Sequence, residues 1–253
     1  MNKNLIGLKK EPSARVRSRE GQFLLVIKSG SGLAINKNGI NLDFISSTAK
    51  QVYSLRERGV FAILIGSGAR ACGEYYYQGN ISLGQKRLFE EWSQAFSRYD
   101  IEVAEHLVID KDLVGRGSER FKRKLWNDLE KGAISLINGN DCHLRENNRA
   151  INNDYVVYRV ATIMNAKALI NMTNVDGIMD TEGEVVRIIR SNKDLDNVQF
   201  NGESELGKGG MELKYKHTRR FAKTGDTYIC NGNNRSILLD IFEGKEVGTR
   251  IQL

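Results

Sequence analysis

Proline is nearly absent from this chain: one residue, Pro12, in 253. No proline-rich stretch therefore marks a linker, and no low-complexity tract or internal repeat divides the sequence. Cysteine is scarce too. Cys72, Cys142 and Cys230 are an odd number at wide spacing, which argues against a disulfide framework and fits a reducing, cytoplasmic setting. No CxxC pair is present, so a structural zinc site is not expected. Histidine is equally rare, with three residues. No run approaches the ~18 consecutive apolar residues of a membrane span, and residues 1–20 lack the apolar centre of a secretory signal.

The composition is that of a globular protein, with 40% hydrophobic and 27% charged residues and a net charge of +7. The charge is uneven. Residues 1–20 carry six basic side chains against two acidic ones, giving +4 and a basic N-terminal tail. The remainder, 21–253, is mildly basic, which suits small anions as well as nucleic acid. Nucleic-acid binding through the tail is the weaker expectation, because no aromatic residues interleave its basic groups.

From residue 21 onward, apolar strand-like runs alternate with helical periodicity. Phe23–Lys28, Val60–Ile65, Ile101–Val108, Gly132–Asn138, Ala168–Met172, Thr227–Cys230 and Thr249–Leu253 read as strands, with Val185–Arg190 as an outer strand. Asp43–Arg58, Leu83–Tyr99, Ser118–Lys131, Asp154–Ala166, Met211–Thr224 and Ser236–Phe242 read as helices, and Ser29–Gly32 as a flexible turn. This alternation predicts an α/β fold, a three-layer αβα sandwich around a mostly parallel sheet. One compact unit over 21–253 follows, in two lobes meeting near 165/166.

Ligands of such sheets bind beyond the carboxyl ends of the strands. The residues at those positions are Lys28–Gly32, Gly66–Gly68, Asn138–Asp141, Thr173–Gly177 and Asn231–Asn233, almost all small and polar. Two nucleotide motifs nearly match and fail. Gly202–Gly209 resembles a P-loop, but Gly209 stands where magnesium needs a Ser or Thr, and no apolar strand precedes it. Gly66–Ala71 resembles a dinucleotide fingerprint, but Glu90 and Glu91, at the distance of its acidic residue, fall inside a helix. His143 beside Cys142 has no further ligand at metal spacing, so no metal site is expected there.

Two lysines far apart in sequence make a stronger pattern. Lys28 ends a buried strand beside a glycine turn. Lys214 lies on the first turn of the helix after Gly207–Gly210. Glycine-rich turns and helix N-termini receive phosphate oxygens on backbone N–H groups, and a lysine from each side could clamp a triphosphate. Asp141 and Asp154 are the acidic candidates; Asp154 could equally be the N-cap of its helix.

The order of these segments resembles the amino-acid kinase superfamily and, within it, the glutamate 5-kinases. The resemblance rests on Val26–Ser31, Gly66–Ala69, Leu83–Gln85, Glu119–Phe121, Asn138–Asp141, Asn153–Asp154, Thr173–Gly177, Gly207–Lys214 and Gly248–Thr249. It spans Phe23 to Leu253 and implies a carbamate kinase-like sandwich without the C-terminal RNA-binding-like (PUA) domain of many relatives. By position it implies Lys28, Lys214 and Asp154 as catalytic residues. Lys28, Gly30, Ser31, Thr173, Asn174, Lys208, Gly209, Gly210, Met211 and Lys214 would bind ATP. Ser67, Gly68, Asp141 and Asn153 would bind the acceptor, with Arg70 beside them. Magnesium would arrive with ATP, and a homo-oligomer is expected.

The implied reaction is phosphorylation of the γ-carboxylate of glutamate, the first step toward proline. A kinase of the same fold acting on another carboxylate, a phosphate or a phosphonate is the alternative, as is a degenerate nucleotide-binding regulator. Departures from the family pattern keep these open. Asn174 and Asn152 replace acidic residues, Gly139 replaces a glutamate, Lys208 a threonine and Arg70 a small side chain. Together they make the expected pocket more positive.

Overall fold

The computed structural model describes residues 23–142, 151–198, 200 and 210–253. The basic tail and the P-loop-like segment 202–209 lie outside them. In chain order the elements are β1 (Phe23–Ser29), α1 (Ser31–Ala34), β2 (Ile35–Asn36), β3 (Gly39–Ile40), α2 (Leu42–Arg56), β4 (Val60–Ile65), α3 (Ala69–Tyr77), α4 (Ile81–Ser97), β5 (Val103–Val108), α5 (Gly115–Glu130) and β6 (Ile134–Gly139). There follow α6 (Asn153–Ile163), β7 (Ala168–Thr173), β8 (Ile188–Ile189), α7 (Met211–Phe221), β9 (Asp226–Asn231), α8 (Ile237–Phe242) and β10 (Thr249–Ile251).

Eight strands form one sheet in the order β5-β6-β4-β1-β7-β9-β10-β8. The first six are parallel; β10 runs antiparallel to β9, and β8 pairs parallel with β10. The alternation of side chains along β1 shows why it reads as an unbroken apolar run. Leu25 and Ile27 pack against α2, α4 and α8, whereas Leu24 and Val26 pack against α5, α6 and α7. β4 repeats the pattern, with Ala62 and Leu64 on the first face and Ile63 and Ile65 on the second. A strand covered on both faces needs apolar residues at every position.

This two-sided packing fixes where clefts can open. Chains leaving β1, β4 and β9 turn to the face of α2, α4 and α8, and those leaving β5, β6 and β7 reach the other face. Neighbouring strands therefore send their chains to opposite faces at β4/β6, at β1/β7 and at β7/β9, and clefts can open at the carboxyl edge there.

Three sequence expectations change. Ser29–Gly32 is not a flexible turn: β1 runs through Ser29 and α1 starts at Ser31. α3 was not anticipated; it is only nine residues, ends in three tyrosines and lacks a long apolar stripe. Its contact with α4 is made backbone to backbone, because a Cβ on Gly84 would land on Ala69 O and Gly73 N. The outer strand expected over Val185–Arg190 shrinks to β8, with Val185 making only an isolated bridge to Met179.

Candidate active site

Lys28 is the sixth residue of β1. Side-chain alternation puts it on the face of Leu24 and Val26, beneath α6, where it is 4% exposed. Its Nζ lies 2.9 Å from Oδ1 of Asp154, also 4% exposed. Asp154 is not the cap of α6. Asn152 is, accepting a hydrogen bond from the Asp154 N–H at 2.6 Å. That frees the Asp154 carboxylate to turn into the protein and meet Lys28. An asparagine caps as well as an aspartate does, so the loss of an acidic residue at 152 leaves the helix start intact.

Burial pushes the Asp154 carboxyl up, but Lys28 and then Lys214 attract its charge. Hydrogen bonds from Lys28 and Asn171 add to this and hold it below the ordinary carboxylate range. Lys214, on the first turn of α7, moves the other way from an ordinary ammonium. Burial lowers its pKa, repulsion from Lys28 lowers it further, and Asp154 restores only part. The centre thus pairs one buried carboxylate with Lys28 within electrostatic reach of the half-buried Lys214, an excess of positive charge suited to a polyanion.

The surrounding loops complete a pocket edge. Gly30 donates its N–H to Met172 O at 3.1 Å, and a Cβ there would sit 3.1 Å from that oxygen. Gly30 therefore lets the β1 turn lie against β7. The next N–H groups, of Ser31 and Gly32, open α1 and have no acceptor among the described residues. Thr173 ends β7 and is buried; its hydroxyl donates to Asn174 Oδ1 at 3.3 Å. Gly210 precedes α7 and Met211 begins it. Lys208 and Gly209 lie outside the described residues.

The β4/β6 opening holds the second set. Ser67 Oγ and Ser31 Oγ are 2.8 Å apart, joining the two loops. Gly68 follows at φ 110°, a conformation suited to glycine, and starts α3. Asn153 Oδ1 accepts the Gly139 N–H at 2.9 Å, and its Nδ2 donates to Asn138 Oδ1 at 2.6 Å. Asn138 donates to Gln85 Oε1 at 2.5 Å, and Gln85 donates to Glu105 at 2.6 Å. A carboxylate can only accept, so every amide in this chain has one possible orientation. Beside it a cleft of about 210 Å³ is lined by Ile81, Gln85, Phe89, Glu105, Leu107 and Asp141 among others. Ser67, Gln85 and Asn138 share a small adjoining cavity. A Cβ on Gly139 would fall 2.5 Å from Ile151 Cγ2 and 2.9 Å from Ile151 O, so this backbone admits no side chain there. Arg70 is half-buried on the first turn of α3, makes no ion pair among the described residues, and lies outside the lining of both cavities.

Gln85 lies in a segment that carries the family resemblance but has no role assigned to it, and neither Glu105 nor Asn171, a polar residue within an apolar strand, stands out in the sequence. His217 is half-buried between Tyr155 and Tyr158, with ring centroids 5.8 and 6.5 Å away. Burial lowers its pKa. His106, on β5, pairs with Asp128 at 2.7 Å.

Removing one member of a buried ion pair strands the other. Asp154→Leu or Lys28→Met alone should cost about 3–5 kcal/mol of stability, whereas the double variant should recover most of that loss. Urea unfolding of the four proteins checks this, and additive losses would show that the two charges are not coupled.

Residues 23–231 match the model of the amino acid kinase family. Among curated proteins the chain is 30% identical to a glutamate 5-kinase of Maridesulfovibrio salexigens, over 94% of this chain and 69% of that one. It is 28% identical to a glutamate 5-kinase of Syntrophus aciditrophicus, over 89% of this chain and 64% of the relative. A glutamate 5-kinase of Alkaliphilus metalliredigens, also 28% identical, is covered over 95% of its length. The isopentenyl phosphate kinase of T. acidophilum, solved as a product complex, superposes with a TM-score of 0.66 at 13% identity, over 92% of this chain and 100% of that one. That likeness is one of fold. By its family match and by these relatives, the chain belongs to the amino acid kinase family.

Proposed function

We propose that this protein is an ATP-dependent kinase that phosphorylates a small acidic acceptor, with the γ-carboxylate of L-glutamate as that acceptor. One observation carries the reading: a buried carboxylate paired with Lys28 and attracted by a second lysine, Lys214, at the carboxyl edge of β1. A hydrophobic core has no use for such an arrangement, since burying ions is costly. A triphosphate repays it.

In this reading Lys28 and Lys214 neutralise the charge on the phosphoryl group being transferred, and Asp154 holds both ammonium groups in place. The Ser31 and Gly32 N–H groups, with Gly30 drawn close to β7, cradle phosphate oxygens. Thr173 and Asn174 lie beside the nucleoside, and Lys208 to Met211 cover it. Ser67, Gly68 and Asn153 meet the acceptor's carboxylate end, and Asp141 its ammonium group. Magnesium would be held through the phosphate oxygens, as is usual for this ion, and would offset their charge. Among the described residues no three His, Cys, Asp or Glu side chains gather into a cage.

The acceptor carboxylate is already ionised near neutral pH, so its oxygen attacks the γ-phosphorus without a general base. The bond to the β–γ bridging oxygen breaks, and ADP leaves with that electron pair. The protein's work is positioning and charge stabilisation. The glutamate assignment is supported by the curated relatives' names. A second acceptor class, one with an additional anionic group met by Arg70, has in its favour that cation's lack of an ion pair among the described residues.

Hydroxylamine converts acyl phosphates to hydroxamates. With ATP, magnesium and glutamate, hydroxamate should form, and Lys214→Met should lower turnover about 10²–10³-fold. ATP turnover with a phosphate or phosphonate acceptor, and none with glutamate, would move the substrate class.

The pH profile is a separate check. Because the Lys214 pKa lies below the ordinary 10.5, its charge is lost earlier as pH rises. The alkaline limb of kcat/KM should therefore fall below that value, and Lys214→Arg should move the limb up. An alkaline limb at an ordinary lysine value would contradict the assignment.

A further inference from the structure

β7 reads Ala-Leu-Ile-Asn-Met-Thr and is buried throughout. One residue breaks its apolar run. Asn171 is fully buried, and in the parallel pairing of β1 with β7 it stands directly opposite Lys28. The two side chains rise on the same face, and both reach one oxygen. Asp154 Oδ1 receives Lys28 at 2.9 Å and Asn171 Nδ2 at 3.2 Å. Asn171 Nδ2 also lies 3.5 Å from Thr218 Oγ1 on α7. Its own Oδ1 is buried with no partner among the described residues.

For stability alone this is a poor choice. An orphaned buried acceptor costs free energy, and a leucine of similar size would remove it and fill the strand face. The amide earns its position by what it does to Asp154. It is a neutral donor on a rigid strand, so it orients the carboxylate without consuming the negative charge that offsets Lys28 and Lys214.

We propose that Asn171 is a positioning residue of the phosphoryl-transfer centre, holding the Asp154 carboxylate ionised and fixed when Lys28 turns toward a substrate phosphate. The role rests on the kinase reading above. The charged and titratable groups facing Asp154 are Lys28 from β1 and Lys214 and His217 from α7. His217 packs on Tyr155 and Tyr158 of Asp154's own helix, with Arg220 over the Tyr158 ring. Asn171 is the uncharged member of the set, and its loss removes a donor to the carboxylate and a long contact to Thr218 without changing the local charge.

The test uses the full chain with Asn171→Leu, and Asn171→Ala as a variant that cannot overfill the site. In the leucine variant the melting temperature at neutral pH should hold or rise. Its kcat should fall about tenfold, the scale of one charge-assisted hydrogen bond, with KM for ATP little changed. Losing a donor to the carboxylate raises the Asp154 pKa, so the acid limb of kcat/KM should move to higher pH. Unchanged kcat and an unmoved acid limb in folded variants would overturn the proposal, as would failure of both variants to fold.

The pH dependence of melting separates this proposal from the kinase reading, because it needs no turnover. Asp154 stabilises the fold above its unfolded pKa, and that stability is lost as pH falls through its depressed folded value. In Asn171→Leu the folded value is higher, so the acid loss should be smaller and should be complete at a higher pH. Should the wild type turn over no acceptor, the kinase reading fails, and the melting curves alone still decide whether Asn171 keeps Asp154 ionised.

Discussion

Two opposite charges 2.9 Å apart, each 4% exposed, constrain everything around them. Desolvation costs several kcal/mol per ion, and attraction offsets it only when geometry is good and the remaining lone pairs are satisfied. The fold meets those conditions with rigid elements. Lys28 is delivered by the alternation of a central strand, and Asp154 by the second residue of a helix whose capping is done by Asn152. Apolar layers above and below the sheet exclude water. Lys214 adds a second positive charge that one carboxylate cannot balance, an imbalance suited to a polyanion.

The topology sets this centre beside a second opening. Strands β1 and β7 part over the lysines, and β4 and β6 part over Ser67, Asn138 and Asn153. A hydroxyl pair, Ser31 with Ser67, joins the two loops at 2.8 Å. The amides at the second opening are held in a single orientation by a chain ending on Glu105. Positioning by such fixed groups is the kind of catalysis that a reaction with an already ionised nucleophile requires.

Much of this was legible in the sequence. The parallel strands are unbroken apolar runs because both faces are covered, and small polar residues follow each run at the carboxyl edge. Lys28 stood out because a lysine directly after five apolar residues is not a typical surface charge. What escaped has physical reasons. α3 is short and joins α4 through glycine backbone, so it carries no apolar period. Asp154 could not be told from a cap until Asn152 took that place. Asn171 and Glu105, and the part Gln85 plays within its motif, depend on contacts between residues distant in sequence, which no local pattern records. Gly139 read as a lost acidic group; the structure adds that Ile151 leaves it no room for a side chain.

The most direct test of the account is a crystal structure of the protein with magnesium and a non-hydrolysable ATP analogue. The account predicts the γ-phosphate between the ammonium groups of Lys28 and Lys214, with the nucleoside beside Thr173 and Asn174. A triphosphate bound elsewhere, with the Lys28–Asp154 pair still closed to ligand, would show that the buried charges serve another purpose.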